Sequence, residues 1–352
     1  NIGHTFPGGT IDSNEPWMEI SAKDEAGNKV FSSGLLQADK SVDPAAHFFR
    51  GVLLDGHGEF ILKRNPHEWR TTLYNNSIPP GSADVIHYTW TVPDDFTGSI
   101  KLTATLNYRK FNRSITVHSL DVPIDLPIIT MAEDHILLTT SQSTELDEYD
   151  GMRYNDYGIA MLRQKNLEAS RLAFEKVTEL IPGYVDGYVN VARVLIKVGE
   201  FELAEINLKK ALELKPEFPK AKFFKALIAK INGQYETAIE LFSAVRETNP
   251  NDRVMLKHLG QTHYFAENWS AAQAVYNDVL RIDPEDADAH YNLMLINRKL
   301  GEQEQAEYHG EKYLKYKPDE QARSISQITR LKFPHANNEA QPVHSHELVV
   351  VN

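Results

Sequence analysis

Histidine is the residue type through which this chain could do chemistry. It has 14 His and no Cys. The lack of Cys excludes disulfides, thiolate zinc sites, cysteine nucleophiles and covalent c-type haem, whose attachment needs C-x-x-C-H. His4, His47, His57, His67 and His87 lie in the first part of the chain. None belongs to an H-E-x-x-H motif or an i, i+4 pair, so no zinc-protease helix is indicated. His57 sits in a Gly-flanked turn and reads as exposed. His87 alternates with Tyr88 and reads as a strand packing residue. His344 and His346 near the C-terminus could chelate a metal, but two imidazoles alone make a weak site. Glu15, Glu19 and Glu68 form no recognisable acid/base pair, and neither a Gly-x-Ser-x-Gly elbow nor a P-loop occurs. With Asn at residue 1, a copper site built on an N-terminal histidine is not expected. The alternative is an enzyme with a His-containing site in the cleft between two domains, around His4, His47 and His67, and convergence of these side chains on a shared metal would favour it.

The elements that must position these residues fall into two or three domains, given 352 residues. The net charge of −12 is unevenly placed. Residues 1–128 carry 11 basic and 15 acidic side chains, residues 129–150 carry six acids and no base, and 151–333 are neutral. The acidic stretch reads as a solvated linker over 129–150. No segment offers the basic face that nucleic acid requires. No apolar run approaches the roughly 20 residues of a spanning helix. The first residue is not Met, so the chain is expected to be processed or cut from a longer one.

The second half is punctuated by Pro182, Pro216, Pro250, Pro284 and Pro318, each 34 residues after the last. That period, with small and aromatic residues at fixed offsets, is the signature of tetratricopeptide (TPR) repeats. Repeats then start at Gly151, Val185, Pro219, Arg253 and Ala287. The close-approach position of the first helix is Gly158, Ala192, Ala226, Gly260 and Met294. The knob of the second helix is Phe174, Leu208, Phe242, Tyr276 and, as a departure, Gly310. Gly199, Gly233 and Gly301 occupy the turn in three repeats. Five repeats span 151–318, with a capping helix over 319–333 that closes the stack.

The first helices of such arrays line a concave groove. Here they present Met152, Asn155 and Ile159, then Val189, Arg193 and Ile196, then Phe223 and Leu227. Val254, Lys257 and Phe265 follow, and finally Tyr291 and Leu295. More than half are apolar, and the Lys/Asn/Arg clamp for an acidic C-terminal peptide is not assembled. The groove is therefore expected to be covered by a partner helix, a neighbouring subunit or the chain's own first domain. A helical phase off by one would instead make these residues core between repeats.

Residues 1–128 read as an antiparallel β-sandwich. Trp17–Lys23 and Lys29–Ser33 form one expected hairpin, and Phe48–Asp55 and Glu59–Arg64 a second around Gly56-His57-Gly58. Asp84–Val92 and Ser99–Lys110 are longer alternating runs. The tail over 334–352 ends in Leu348, Val349, Val350 and Val351, which need burial. Addition to a neighbouring subunit's sheet, docking in a TPR groove or pairing within the chain would each supply it.

Gly3-His-Thr-Phe-Pro-Gly-Gly9, Glu15-Pro-Trp-Met-Glu19 and Ser77-Ile-Pro-Pro-Gly81 resemble a β module found downstream of the haem region in bacterial multihaem c-type cytochromes. Arg153-Tyr-Asn-Asp-Tyr-Gly-Ile159 is similar to the junction in members with C-terminal TPRs. The resemblance covers about residues 1–320 but omits the haem-binding region. It implies an exported protein, periplasmic or extracellular, working beside multihaem electron-transfer domains and making homo- or hetero-oligomeric contacts. It also singles out His4, which could be an axial ligand to the haem of a partner chain. The expected whole is a multi-domain β plus α protein, an N-terminal β-sandwich followed by a TPR α-solenoid, with no covalently bound cofactor. Its expected role is that of a non-catalytic scaffold.

Overall fold

The computed structural model describes residues 3–62, 65–91, 98–139 and 147–350. In chain order the first elements are β1 (Glu15–Lys23), β2 (Lys29–Ser33), β3 (Gly51–Leu54), β4 (Thr71–Asn75), β5 (His87–Thr89) and β6 (Ile100–Arg109). The short helix α1 (Arg113–Leu120) and β7 (Ile128–Leu138) follow. Ten helices come next: α2 (Glu148–Arg163), α3 (Leu167–Leu180), α4 (Val185–Val198), α5 (Phe201–Leu214), α6 (Pro219–Ile231), α7 (Tyr235–Thr248), α8 (Arg253–Phe265), α9 (Trp269–Ile282), α10 (Ala287–Leu300) and α11 (Gln303–Tyr316). The chain then forms α12 (Glu320–Lys332), α13 (Pro334–Glu339), β8 (Ser345–Glu347) and β9 (Val349–Val350). An N-terminal antiparallel sheet region is thus followed by a helical repeat array.

Two compact units result. The sheet unit comprises Asn1–Glu145, Ile159–Lys165 and Asp319–Asn352, and the repeat unit Leu146–Gly158 and Asn166–Pro318. The sheet unit is built on a five-stranded sheet in the order β7-β6-β1-β2-β9. β1 is central, and its alternation seats Trp17 against Val42, Ala46 and Phe48, and Ile20 and Ala22 against Phe31 and Ile100. The expected β1–β2 hairpin forms, with Ile20 opposite Ser33. β3 pairs with β4 along its length and also keeps part of the expected pairing with Glu59–Arg64, through Phe60 and Ile61. The Gly56-His57-Gly58 turn does form, because the Asp55 carboxylate accepts from the amides of His57 (2.8 Å) and Glu59 (2.9 Å). Beyond it the chain returns along β3 through the Leu54–Phe60 bridge, with the Asp55 amide donating to the Glu59 carbonyl and the Ile61 amide to the Leu53 carbonyl, both at 3.0 Å, and positions 63 and 64 lie outside the described residues. Of Asp84–Val92 only His87–Thr89 is strand, and Val92 lies outside the described residues.

Two expectations are corrected, and one alternative for the tail is selected. The acidic linker over 129–150 begins as β7, paired with β6 along its length, and its last residues open α2. Alternation hides this strand because it is exposed on both faces, so apolar and polar residues need not sort between them. The helix over 319–333 forms but packs in the sheet unit. Ile325 and Phe333 seat against buried Leu54 and Leu73. Thr329 Oγ1 donates to the Gly58 carbonyl (3.1 Å) and Arg330 to that of Leu73 (2.9 Å). The tail is also engaged by its own chain: β9 pairs with β2, placing Val349 opposite Ser32 and Val350 opposite Phe31, and β8 runs parallel to β5. Leu348 packs on the Ile20–Phe31 core. Val351 lies outside the described residues.

In the repeat unit α4, α6, α8 and α10 begin at Val185, Pro219, Arg253 and Ala287. Close approach within a helix pair explains the small residues. A Cβ on Gly158 would lie 2.6 Å from the Phe174 ring, and one on Gly260 2.8 Å from Tyr276. Where the small residue is Ala192, the knob at the same offset is Leu208, and both are fully buried. In the fifth pair the sizes are exchanged: a Cβ on Gly310 would lie 3.4 Å from Met294 Sδ. The departure at Gly310 is thus a compensated swap, the thioether filling the space a ring fills elsewhere. Gly158→Ala is expected to cost about 1–3 kcal/mol through overpacking. Adding Phe174→Leu, which recreates the Ala192–Leu208 pair, should recover most of the loss in thermal unfolding. A neutral Gly158→Ala would refute the close-contact account.

The turn between paired helices holds positive φ in every repeat. Gly199 (86°), Gly233 (74°) and Gly301 (78°) are joined by Lys165 (63°) and Glu267 (59°) at the same offset. Packing of the pair imposes this conformation even where a Cβ makes it costly. Glu267→Gly is therefore expected to stabilise the array by about 1 kcal/mol, read as a higher Tm; a lower one would mean the Glu267 side chain outweighs its backbone strain.

Candidate functional site

Buried histidines meet in the sheet unit. His47 lies in the stretch that follows the edge of β1, where its carbonyl accepts from the Met18 amide at 3.0 Å. On the tail, His346 in β8 and His344 two residues earlier share a face, as the period of extended chain requires. Glu339 ends α13. These four side chains offer ligand atoms all within 4.8 Å of one another. His47, His344 and His346 are 0%, 6% and 4% exposed, so the cluster is shut off from bulk water.

The hydrogen bonds orient the rings. His346 Nδ1 lies 2.9 Å from the Ala45 carbonyl and His344 Nδ1 3.3 Å from the Gln341 carbonyl. A carbonyl only accepts, so both Nδ1 atoms carry the proton and both Nε2 atoms present lone pairs. Those Nε2 atoms point at His47 Nδ1, at 3.1 Å for His344 and 3.3 Å for His346. The Glu339 carboxylate lies 3.5–3.9 Å from the three inward nitrogens and accepts from Asn76 at 2.6 Å. Burial raises the Glu339 pKa to about 7, against the opposing pull of Arg50 and Asn76. Burial also holds His47 well below its ordinary value, and His344, His346 and Arg163 reinforce the shift. Burial lowers His346 as well, so these two rings are held toward the neutral form, the state that ligates.

His4, His47 and His67 do not converge. His4 is exposed, with Nδ1 2.8 Å from the Thr5 carbonyl. His67 is exposed beside Glu68 at 3.9 Å. His57 is exposed, and His87 is half-buried with Nε2 3.0 Å from the Gln164 side chain. The alternating His344 and His346 were the visible part of the cluster. His47 and Glu339 carry no spacing signal that joins them to it.

In the repeat unit the first-helix face mixes apolar side chains with polar rungs. Met152, Arg193, Val254, Phe265 and Tyr291 are exposed; Ile159, Ile196, Phe223, Leu227, Lys257 and Leu295 are half-buried. Asn155 and Val189 are buried and belong to the core. Successive first helices are tied together by Asn190–Asn155 (3.1 Å), Lys220–Asp186 (2.6 Å), Lys230–Gln261 (2.7 Å) and Lys257–Asp288 (2.9 Å). These lysines are occupied by neighbouring repeats rather than arranged as a peptide clamp.

Two other histidines set a pH limit on the array. His258, stacked on Phe242 beside Lys230, is lowered to about 4 by burial and then by the lysine charge. His309, packed on His290, is lowered to about 4 by burial and then by that neighbour. Both values fall below the unfolded 6.5, so the unfolded chain binds more protons between them. Their contribution is complete above about pH 6.5 and is lost as pH falls toward about 4. The helical CD signal is expected to melt several degrees lower at about pH 4.5 than at about pH 7, with the difference reduced in H258Q/H309Q. A pH-independent Tm would contradict this.

The helix pairs with their 34-residue punctuation define a repeat scaffold. The tetratricopeptide repeat family matches residues 191–253 and 229–296. The chain is 36% identical over 88 residues to a TPR repeat-containing protein of Methanocaldococcus jannaschii, covering 25% of this chain and 27% of that protein. It thus spans about a quarter of that curated relative's length. Similar solved structures include Pseudomonas aeruginosa PilF, at TM-score 0.45 and 15% identity over 53% of this chain and 91% of that one. Another is MamA from Desulfovibrio magneticus RS-1, at TM-score 0.43 and 19% identity over 47% of this chain and 94% of that one. Tetratricopeptide repeats of this kind are protein-interaction scaffolds. No helix among the described residues is long and apolar enough to cross a membrane.

Proposed function

We propose that this chain is an exported, non-catalytic assembly module that holds multihaem cytochromes together for electron transfer, through its TPR face and its sheet unit. The observation that carries the scaffold role is the row of exposed Met152, Val254, Phe265 and Tyr291 on first helices already cross-braced by polar rungs. Such a face can accept an apolar partner surface without rearranging. The solvent-exposed β7, with Ile129, Met131 and Ile136 outward at a sheet edge, supports subunit contacts of the homo- or hetero-oligomeric kind. His4 supports the haem contact. Its Nδ1 is engaged by the Thr5 carbonyl, which leaves Nε2 as the nitrogen for a partner's iron.

The test is to titrate the chain into a multihaem c-type cytochrome that has one open axial position, following the Soret band and sedimentation together. The chain alone should show no Soret band. Association is expected, with a shift to six-coordinate low-spin haem. V254D/Y291D should abolish the association, and His4→Ala should abolish only the spectral shift. A mixture in which neither signal changes would overturn the proposal.

A further inference from the structure

We infer that His47 Nδ1, His344 Nε2, His346 Nε2 and the Glu339 carboxylate form a buried zinc site that clips the C-terminal segment onto the sheet unit. The argument starts from the proton inventory. His344 and His346 donate their Nδ1 protons to carbonyls, so two lone pairs converge on His47 Nδ1. A neutral His47 has one proton. Placed on Nδ1 it can satisfy only one of the two facing nitrogens. Placed on Nε2 it leaves three lone pairs and a carboxylate aimed at one point, and Nε2 itself is buried without a hydrogen-bond partner. No tautomer of the neutral cluster satisfies all the inward atoms, whereas a single divalent cation does.

The donor set selects the ion, and the spacing is compatible with it. Zinc–nitrogen bonds of about 2.0–2.1 Å in a tetrahedron put ligand nitrogens about 3.3 Å apart, and an octahedral edge is shorter. The two ring nitrogens facing His47 Nδ1 stand 3.1 and 3.3 Å from it, the carboxylate 3.5–3.9 Å from the three nitrogens, and the whole set lies within 4.8 Å. Three neutral imidazoles and one carboxylate, with no thiolate, suit Zn²⁺ and its surrogate Co²⁺ and are too nitrogen-rich for Mg²⁺ or Ca²⁺. The outer contacts are those of a built site. The carbonyls of Ala45 and Gln341 hold two rings, and Asn76 holds the carboxylate at 2.6 Å. All four groups are protein ligands and the site is closed, so its role is structural: it joins the segment around His47 to residues some 290 positions later.

Metal content of the full chain after dialysis against trace Zn²⁺, Zn²⁺ and Co²⁺ titration of the chelator-stripped chain, and Tm with and without metal test this. One zinc per chain is expected, with a higher Tm than the stripped protein. Co²⁺ should give intense four-coordinate visible bands without thiolate charge transfer. His344→Gln and Glu339→Gln should weaken binding by at least about 100-fold, and Asn76→Ala by about 10-fold, while exposed His57→Ala leaves it unchanged. Should the ligand variants fail to fold, the Co²⁺ spectrum and metal-dependent Tm of the wild type remain decisive. A chain that retains no zinc and shows no Tm response overturns the inference, because an extra proton would then hold the cluster together. So would stoichiometric binding unaffected in folded ligand variants, or a preference for Mn²⁺ or Ca²⁺ over Zn²⁺.

Discussion

Replacing Arg109 with Met is expected to destabilise the sheet unit by about 3–5 kcal/mol, the cost of stranding a buried charge. Arg109 ends β6 directly opposite Glu15, which begins β1. The two are 3% and 6% exposed. Arg109 Nε donates to the Glu15 carboxylate at 2.7 Å, and a second guanidinium nitrogen donates to the same oxygen. Its remaining nitrogen donates to the Lys40 carbonyl at 2.9 Å, and the group lies 6.0 Å from the Trp17 ring centroid. Burial raises the Glu15 pKa above 4.5 even though Arg109 opposes it. The folded state therefore holds the Glu15 proton more tightly than the unfolded state does. Stability from this group falls as pH rises from the unfolded value through the folded one. Without Arg109 that dependence should steepen, so R109M loses more at about pH 8 than at about pH 5. Urea unfolding followed by tryptophan fluorescence would measure it. The double variant E15L/R109M should recover most of the stability, because two apolar groups leave nothing unpaired. A loss under about 1 kcal/mol in R109M would mean water reaches the pair.

Gly34→Ala is expected to cost about 3 kcal/mol or more, the size of effect produced when backbone strain and a hard steric clash coincide. Gly34 follows β2 with φ of +75°, and a Cβ there would lie 2.2 Å from the Met18 carbonyl oxygen and 3.2 Å from Glu19 Cα. Both neighbours are backbone of the central strand and cannot rotate aside. Relief would require displacing β2 from β1. It would also move the Gly34 carbonyl, which accepts from the indole of fully buried Trp17 at 3.0 Å. Gly27 makes the internal comparison. Its φ is +85°, yet a Cβ there would meet nothing within 4 Å. Gly27→Ala should therefore show only the left-handed penalty of about 1 kcal/mol. Equal effects of the two substitutions in chemical denaturation would remove the steric part of the argument.

How readily each element could be read follows from how local its cause is. A TPR pair is held by contacts between helices adjacent in the chain, so its period, prolines and knob positions are written within each 34-residue stretch. Even there, single positions misled when taken alone. Gly310 departs from the knob pattern only because Met294 fills the same space. Lys165 and Glu267 broke the glycine pattern while keeping the glycine conformation. In the sheet region β4 and β7 escaped notice. Thr71–Asn75 is short, and Ile128–Leu138 is wet on both faces, so neither shows the clean alternation that burial of one face imprints. α1 escaped as well, although Asn112 caps it through a 2.9 Å bond from the Ile115 amide.

Composition and spacing were enough for the repeat array and the hydrophobic β1–β2 hairpin, because each depends on residues near one another in the chain. They could not reveal that the helix after the last repeat packs on β4, that the tail completes the first sheet, or that His47 meets His344 and His346 across almost the whole length of the chain. Those arrangements are set by which apolar surfaces remain uncovered once the strands have paired, a property of the folded surface that leaves no period in the sequence. His344 and His346 are neighbours in the chain, and folding adds His47 and Glu339 to them to make a four-residue cluster among the described residues.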